Sequence, residues 1–261
     1  MDFSKELQLA KKLAKESGDY LWDVFMNNLK INYEHKSKHE IVTKYDDKIE
    51  KIIIKGIHNK FPKHQYLAEE DGYGKNINSD YLWIIDPIDG TTNFAVKNPL
   101  FGVSIALAYK GKIVLGVIYI PFSKELFWAE DEGGADVNQD KIKVSKTDNL
   151  KSAFITYCHG YKDVNVKRML KAYSYFKVRS FEARQLGSAV VEFTWVACGR
   201  TDTIFIPGTN AWDVASGAII VKEAGGMVTD FNNKEWGIKS PDIIASNGLI
   251  HDDVLKVLKS I

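Results

Sequence analysis

Residues 83–94 read Trp83-Ile-Ile-Asp86-Pro-Ile-Asp89-Gly90-Thr91-Thr-Asn-Phe94. Trp83 to Ile85 form an apolar run, which predicts a buried strand. Asp86, Pro87, Asp89 and Gly90 are each good turn formers, since proline fixes φ and glycine tolerates φ > 0. Turn chemistry alone does not explain why carboxylates follow a buried strand directly. Buried charge is costly unless it is paired or bound to a metal. Two aspartates flanking a tight turn can converge on one point, and the Ile88 carbonyl can point there too. Glu69 and Glu70 follow a second apolar run, Tyr66–Ala68, and Asp213 falls in the first turn of a predicted helix. Each acid alone has a plain reading: surface charge for the glutamates, a helix-dipole acid for Asp213. Together they favour a hard cation such as Mg²⁺, which takes oxygen ligands. No histidine or cysteine joins the cluster, which argues against zinc. Gly90-Thr91-Thr92-Asn93 then offers backbone N–H groups suited to an anionic oxygen such as phosphate. Metal and anion cradle together point to phosphoryl transfer, with Thr91 placed to orient a water. No Walker A pattern is present, which disfavours an ATP-driven kinase.

The 261 residues fit one large domain or two half-sized ones. Hydrophobic residues make up 45%, enough for a real core. The formal charge of +1 lacks the basic excess of a duplex-binding surface, so a nucleic-acid partner is not expected. Cys158 and Cys198 stand in no zinc-like spacing and read as reduced thiols. The charged N-terminus has no apolar signal region, and no run approaches the ~18 apolar residues of a membrane span. These features predict a cytoplasmic protein that does not enter the membrane.

Phe3, Leu7, Ala10, Ala14, Leu21 and Phe25 recur at helical spacing, and Ile49, Ile53 and Ile57 mark a second helix from about Asp47 to Lys60. The charged stretch 32–47 between them reads as a solvated loop. Residues 101–109 and 113–121 around Lys110-Gly111-Lys112 read as a hairpin, with 125–130 as a neighbouring strand. Further strands are expected at 153–158, 177–180, 202–206, 227–231 and 243–247. Helices are expected at 188–199, closed by Gly199, at 210–226, and at the C-terminus. The pattern is α+β in two packed halves: residues 1–140, with the first metal motif, and 141–261, with Asp213. They are expected to act as one catalytic unit.

The motif at 83–94, with Ala-Glu-Glu-Asp at 68–71 and Asn-Ala-Trp-Asp-Val-Ala-Ser-Gly at 210–217, resembles the inositol monophosphatase family of Mg²⁺-dependent, lithium-sensitive phosphatases. The likeness covers nearly the whole chain. It implies a layered α/β/α/β/α sandwich of the inositol monophosphatase/fructose-1,6-bisphosphatase type, commonly a homodimer. It further implies two or three Mg²⁺ per site. Glu69, Asp86 and the Ile88 carbonyl would bind the first ion, and Asp86, Asp89 and Asp213 the second. Glu69 would reach a weaker third through water. Thr91 and Glu69 would position the nucleophilic water, with Asp46 supporting Thr91. The Gly90 and Thr91 backbone would hold phosphate, and Gly187, Ser188 and Ala189 would line the sugar side. Water would attack phosphorus directly, without a phosphoenzyme.

The family often carries a sugar-contacting glutamate where this chain has Ile206, which cannot accept those hydrogen bonds. The Gly-rich turn near 133–145 is also worn, at a place expected to lie away from the metals. The resulting expectation is a phosphomonoesterase for inositol 1-phosphate or a similar small polyol phosphate. A broader phosphatase taking fructose 1,6-bisphosphate, histidinol phosphate or adenosine phosphates is the alternative that Ile206 motivates. A regulatory binding protein in an RNA-associated complex is the alternative from another class. Trp195 and Cys198 read as core and His159 as a loop residue. Lys36 and Lys38 read equally as solvated charge or as a basic loop near the site, and Arg184 as a contact for a ligand or a dimer partner.

Overall fold

The computed structural model describes residues 1–74 and 79–260. Helix α1 (Ser4–Asn27) is followed by a short hairpin, β1 (Glu34–Ser37) and β2 (Glu40–Val42), and by α2 (Lys44–Lys60). Next come β3 (Gln65–Ala68), β4 (Gly72–Tyr73), β5 (Tyr81–Asp89) and the single turn α3 (Thr91–Ala95). A meander follows: β6 (Gly102–Tyr109), β7 (Lys112–Ile120), β8 (Glu125–Glu130), β9 (Gly134–Val137) and β10 (Asp140–Lys141). The remainder is β11 (Phe154–Tyr157), α4 (Asp163–Lys177), β12 (Glu182–Arg184), α5 (Ala189–Ala197), β13 (Thr203–Pro207), α6 (Ala211–Glu223), β14 (Met227–Thr229), β15 (Asp242–Ser246) and α7 (His251–Lys259).

β3 to β10 form an eight-stranded sheet in the order β10-β9-β8-β7-β6-β5-β3-β4. Only its β3–β5 pair is parallel among the described strands. β11 to β15 form a five-stranded sheet in the order β12-β11-β13-β15-β14. Strand alternation assigns each sheet two buried faces. Trp83 and Ile85 of β5 face a core with Leu13 and Leu21 of α1 and Ile49 and Ile53 of α2. Ile84 faces the opposite way, into a core that includes Val190 of α5, Val214 and Ile219 of α6, and Ile204 of β13. Phe205, next to Ile204, points out of that core and meets Phe176 of α4 and Val254 and Leu258 of α7. The layers are therefore α/β/α/β/α, as the resemblance implies.

The middle helices lie close to the larger sheet because small residues meet there. A Cβ on Gly116 of β7 would come within 2.8 Å of the Ser216 backbone on α6. Ser216 Oγ also accepts from Ser104 Oγ of β6 at 2.9 Å. This seating carries the first turn of α6, with Asp213, to the end of β5.

Three local expectations are corrected. The stretch 32–47 is not a loop throughout. It holds the β1–β2 hairpin, and then Thr43 caps α2, which starts three residues before the expected Asp47. Residues 177–180 are not a strand: they close α4, and the strand is Glu182–Arg184. Helix α4 itself had no counterpart in the sequence reading. Its buried residues are Met169, Ala172 and Phe176, a narrow stripe within a polar segment.

Candidate active site

β5 carries apolar residues alternately into two cores as far as Ile85, and its register then breaks. Asp86 lies opposite Ser104 and Asp89 opposite Gly102, so three steps on β5 face two on β6. This bulge turns both carboxylates to the same side. The Ile88 N–H donates to Asp86 Oδ1 at 3.0 Å, which fixes the turn. Gly90 has φ +88, and a Cβ there would lie 3.0 Å from the Leu100 carbonyl oxygen, so conformation and space both demand glycine.

Thr91 Oγ1 lies 2.9 Å from Asp46 Oδ1 and 2.8 Å from the Ile88 carbonyl oxygen. Asp46 is 1% exposed. Its other oxygen accepts from the Thr43 N–H at 2.8 Å and Thr43 Oγ1 at 2.6 Å, the capping box that starts α2. The same cap therefore starts a helix and orients the Thr91 hydroxyl. Asp213 occupies the third position of α6, where its Oδ2 accepts the Asn210 N–H at 2.9 Å. Asp89 accepts from the Val190 N–H at 3.2 Å and from Ser188 Oγ, both at the start of α5.

Glu69, Asp86, Ile88, Asp89, Gly90, Thr91, Gly187, Ser188, Ala189, Ile206 and Asp213 all line one cavity of about 290 Å³. Asp46 lies behind Thr91. His159 also lines this cavity, from the loop after β11. Arg184 is exposed on the edge strand, 3.5 Å from Glu182, and Lys38 pairs with Asp163 at 3.4 Å. Trp195 and Cys198 pack partly buried against the central core.

Lys36 is the cation that the sequence left undecided. Its Nζ lies 3.2 Å from Glu69 and also pairs with Glu70, so the β1–β2 hairpin brings an ammonium to the edge of the acid cluster. Several further acids are buried, and two of them, on α2 and α5, hold backbone N–H groups of loops next to the site. Glu50 on α2 accepts the N–H groups of Glu70 and Asp71, both at 2.8 Å, and so shapes the turn after β3. It stands four residues after Asp46, on the face that also buries Ile49 and Ile53. An acid inside an apolar stripe was the available signal. Glu192 on α5 is the other.

Burial, reinforced by mutual repulsion, holds Glu69, Asp86 and Asp89 above the usual carboxylate range, and burial pushes Asp213 up to about 6. Four carboxylates around one buried space, with a single lysine at the rim, call for added positive charge. Among the described residues, no three or more His, Cys, Asp or Glu side chains stand close enough together as they are to hold a metal ion. The acids instead ring a space large enough for water. The four acids and the Ile88 carbonyl are oxygen donors, the type a hard cation takes while keeping part of its hydration shell.

The chain matches the inositol monophosphatase family over residues 2–261. It is 40% identical over 222 residues to the fructose-1,6-bisphosphatase/inositol-1-monophosphatase of Thermotoga maritima, covering 85% of this chain and 84% of that protein. It is 34% identical to the Nus factor SuhB of Pasteurella multocida, covering 97% and 95%. A solved IMPase/NADP phosphatase complexed with Mg²⁺ and phosphate superimposes with a TM-score of 0.81 at 25% identity, covering 95% of this chain and 92% of that one. The chain belongs to the inositol monophosphatase family. It is a phosphoric monoester hydrolase. Among the described residues no helix is long and apolar enough to cross a membrane.

Proposed function

We propose that the protein is a Mg²⁺-dependent phosphomonoesterase acting on inositol 1-phosphate or a similar small polyol phosphate. The observation that carries this reading is the ring of four acids, Glu69, Asp86, Asp89 and Asp213, beside the Gly90 turn in one cavity. Glu69, Asp86 and the Ile88 carbonyl would hold one ion, Asp86, Asp89 and Asp213 a second, and Glu69 would reach a third through water. Bound Mg²⁺ supplies positive charge for the phosphoryl oxygens and makes water a stronger acid. The Thr91 hydroxyl, held by Asp46, orients the attacking water together with Glu69. Backbone N–H groups of Gly90 and Thr91 hold phosphate, and Gly187, Ser188 and Ala189 shape the side that receives the alcohol. In this reading water attacks phosphorus directly and the ester P–O bond breaks, so the alcohol leaves and no phosphoenzyme forms. Residues 1–140 and 141–261 act as one catalytic unit, because both halves line the cavity.

Ile206 favours a second reading of substrate range. It lines the cavity at 3% exposure and offers no acceptor to a sugar hydroxyl. A phosphatase that also takes fructose 1,6-bisphosphate, histidinol phosphate or adenosine phosphates is consistent with such a wall. A regulatory binding role in an RNA-associated complex gains no support from the near-neutral charge. A homodimer is supported by Val178 and Phe181, exposed apolar residues just before edge strand β12. The two free cysteines are consistent with a reducing cytoplasm.

Phosphate release from a panel of small esters, with Mg²⁺ and then with EDTA, tests the reading. Release that stops in EDTA and returns with Mg²⁺ is expected. Release unaffected by EDTA would overturn it. Ile206→Glu should raise kcat/KM for inositol 1-phosphate relative to the other esters, since specificity is a ratio of those values. An unchanged ratio would remove Ile206 from substrate choice.

A further inference from the structure

Glu192 has no part in the chemistry proposed above and does not line the cavity. It is fully buried in α5, within the otherwise apolar segment Ala189–Phe193. Its Oε1 accepts the Leu186 N–H at 2.7 Å and the Cys158 thiol at 3.4 Å, while Oε2 lacks a partner among the described residues. Burial pushes the carboxyl up to about 8, so the group is held largely as the neutral acid at pH 7. A buried polar side chain with one oxygen unsatisfied is destabilising, and an apolar residue would fill the same space without that cost. What Glu192 supplies in return is a grip on one peptide.

That peptide leads to the candidate metal site. The N–H of Leu186 is held by Glu192, and its carbonyl oxygen accepts from Asn93 Nδ2 at 2.9 Å. Gly187 follows with φ +80, and a Cβ there would lie 3.2 Å from Asn93. Ser188 and Val190 come next, and both donate to the Asp89 carboxylate. One continuous run, clamped at Leu186 and turned at Gly187, therefore ends on Asp89. We infer that Glu192 is a positioning residue: by clamping Leu186 it sets the start of α5 and orients Asp89 toward its cation. The inference rests on the reading of Asp89 as a metal ligand.

The test is calorimetric titration of Mg²⁺ into metal-free protein, for wild type, Asp89→Asn, Glu192→Met and Glu192→Gln, with kcat measured across Mg²⁺ concentrations. Methionine keeps the length and removes the acceptor. Glutamine mimics the neutral acid and keeps an acceptor for Leu186. Glu192→Met should weaken Mg²⁺ binding about tenfold, within the usual 10–100-fold for a residue behind a ligand. Glu192→Gln should stay within about threefold of wild type. Excess Mg²⁺ should restore kcat in Glu192→Met, which a merely structural defect would not allow. Wild-type affinity in Glu192→Met, or equal weakening in both Glu192 variants, would overturn the inference while leaving the site reading intact. No Mg²⁺ binding by wild type, or unchanged binding in Asp89→Asn, would instead strike the site reading beneath it. If Glu192→Met does not fold, Gly187→Ala perturbs the same run: weaker Mg²⁺ binding with retained fold supports the clamp, and unchanged binding overturns it.

Discussion

The molecule contains two hairpins built on different physics. In the β6–β7 hairpin, Ile105, Leu107, Leu115 and Val117 face one core and Ala106 and Ile118 the other, and all are buried. Lys110 (φ 51) and Gly111 (φ 82) make the two-residue turn that matches strand twist. In the β1–β2 hairpin, no residue of β1 is buried. It is tied down by Lys36 on Glu69 and Glu70 and by Lys38 and His39 on Asp163. The first hairpin is held by apolar area and should be indifferent to ions. The second is held by ion pairs, one of them on Glu69, which a cation at the site would also engage. Stability and chemistry should therefore separate between them.

The largest effect expected is on chemistry. Asp213→Asn should reduce turnover by about 10³-fold, the several kcal/mol of charge stabilisation at stake in a metal site, with an unchanged melting curve for the metal-free protein. Near-wild-type turnover would remove Asp213 from the mechanism. On the side of stability, Ile118→Ala should cost about 2–5 kcal/mol in denaturant unfolding and leave kcat per folded molecule unchanged. A fall in kcat would show that the core hairpin and the site are coupled after all. In the outer hairpin, Lys36→Gln should cost less stability than Ile118→Ala, since it removes one partly buried charge beside Glu69 and Glu70 at the edge of the acid cluster, and should change the Mg²⁺ dependence of the rate. The reverse outcome, a large stability loss with unaltered Mg²⁺ dependence, would break the comparison.

The smallest effect concerns a buried group distant from both hairpins. His251 lies between Thr229 and Ser246, 2.9 and 2.8 Å from their hydroxyl oxygens. Burial holds its imidazole below the ordinary value. The unfolded chain therefore takes up a proton, near pH 6.5, that the folded state accepts only at lower pH. Stability is complete above that range and is lost as pH falls through it. Unfolding free energies at pH 7.5 and 5.5 should differ more for wild type than for His251→Gln. An equal difference would show that the site is open enough to protonate in place.

The 83–94 motif determined much by itself. A buried strand, turn formers and a glycine suited to positive φ follow one another within twelve residues, so that much is a property of contiguous chain, whereas the bulge depends on pairing with β6. The acids at 69, 86, 89 and 213 stood out in the sequence, as did the core stripes of α1 and α2. Tertiary structure alone decided the rest. Helix α4 exposes most of its surface, so only Met169, Ala172 and Phe176 carried its period. β12 is a three-residue edge strand whose pairing with β11 has no local signature. Lys36, Glu50 and Glu192 look like ordinary charges until distant peptides and carboxylates come within hydrogen-bonding distance. A polar side chain is defined by its partner, and here each partner lies elsewhere in the fold. Apolar periodicity is written along the chain, whereas the neutralisation of buried charge is settled only when the layers close.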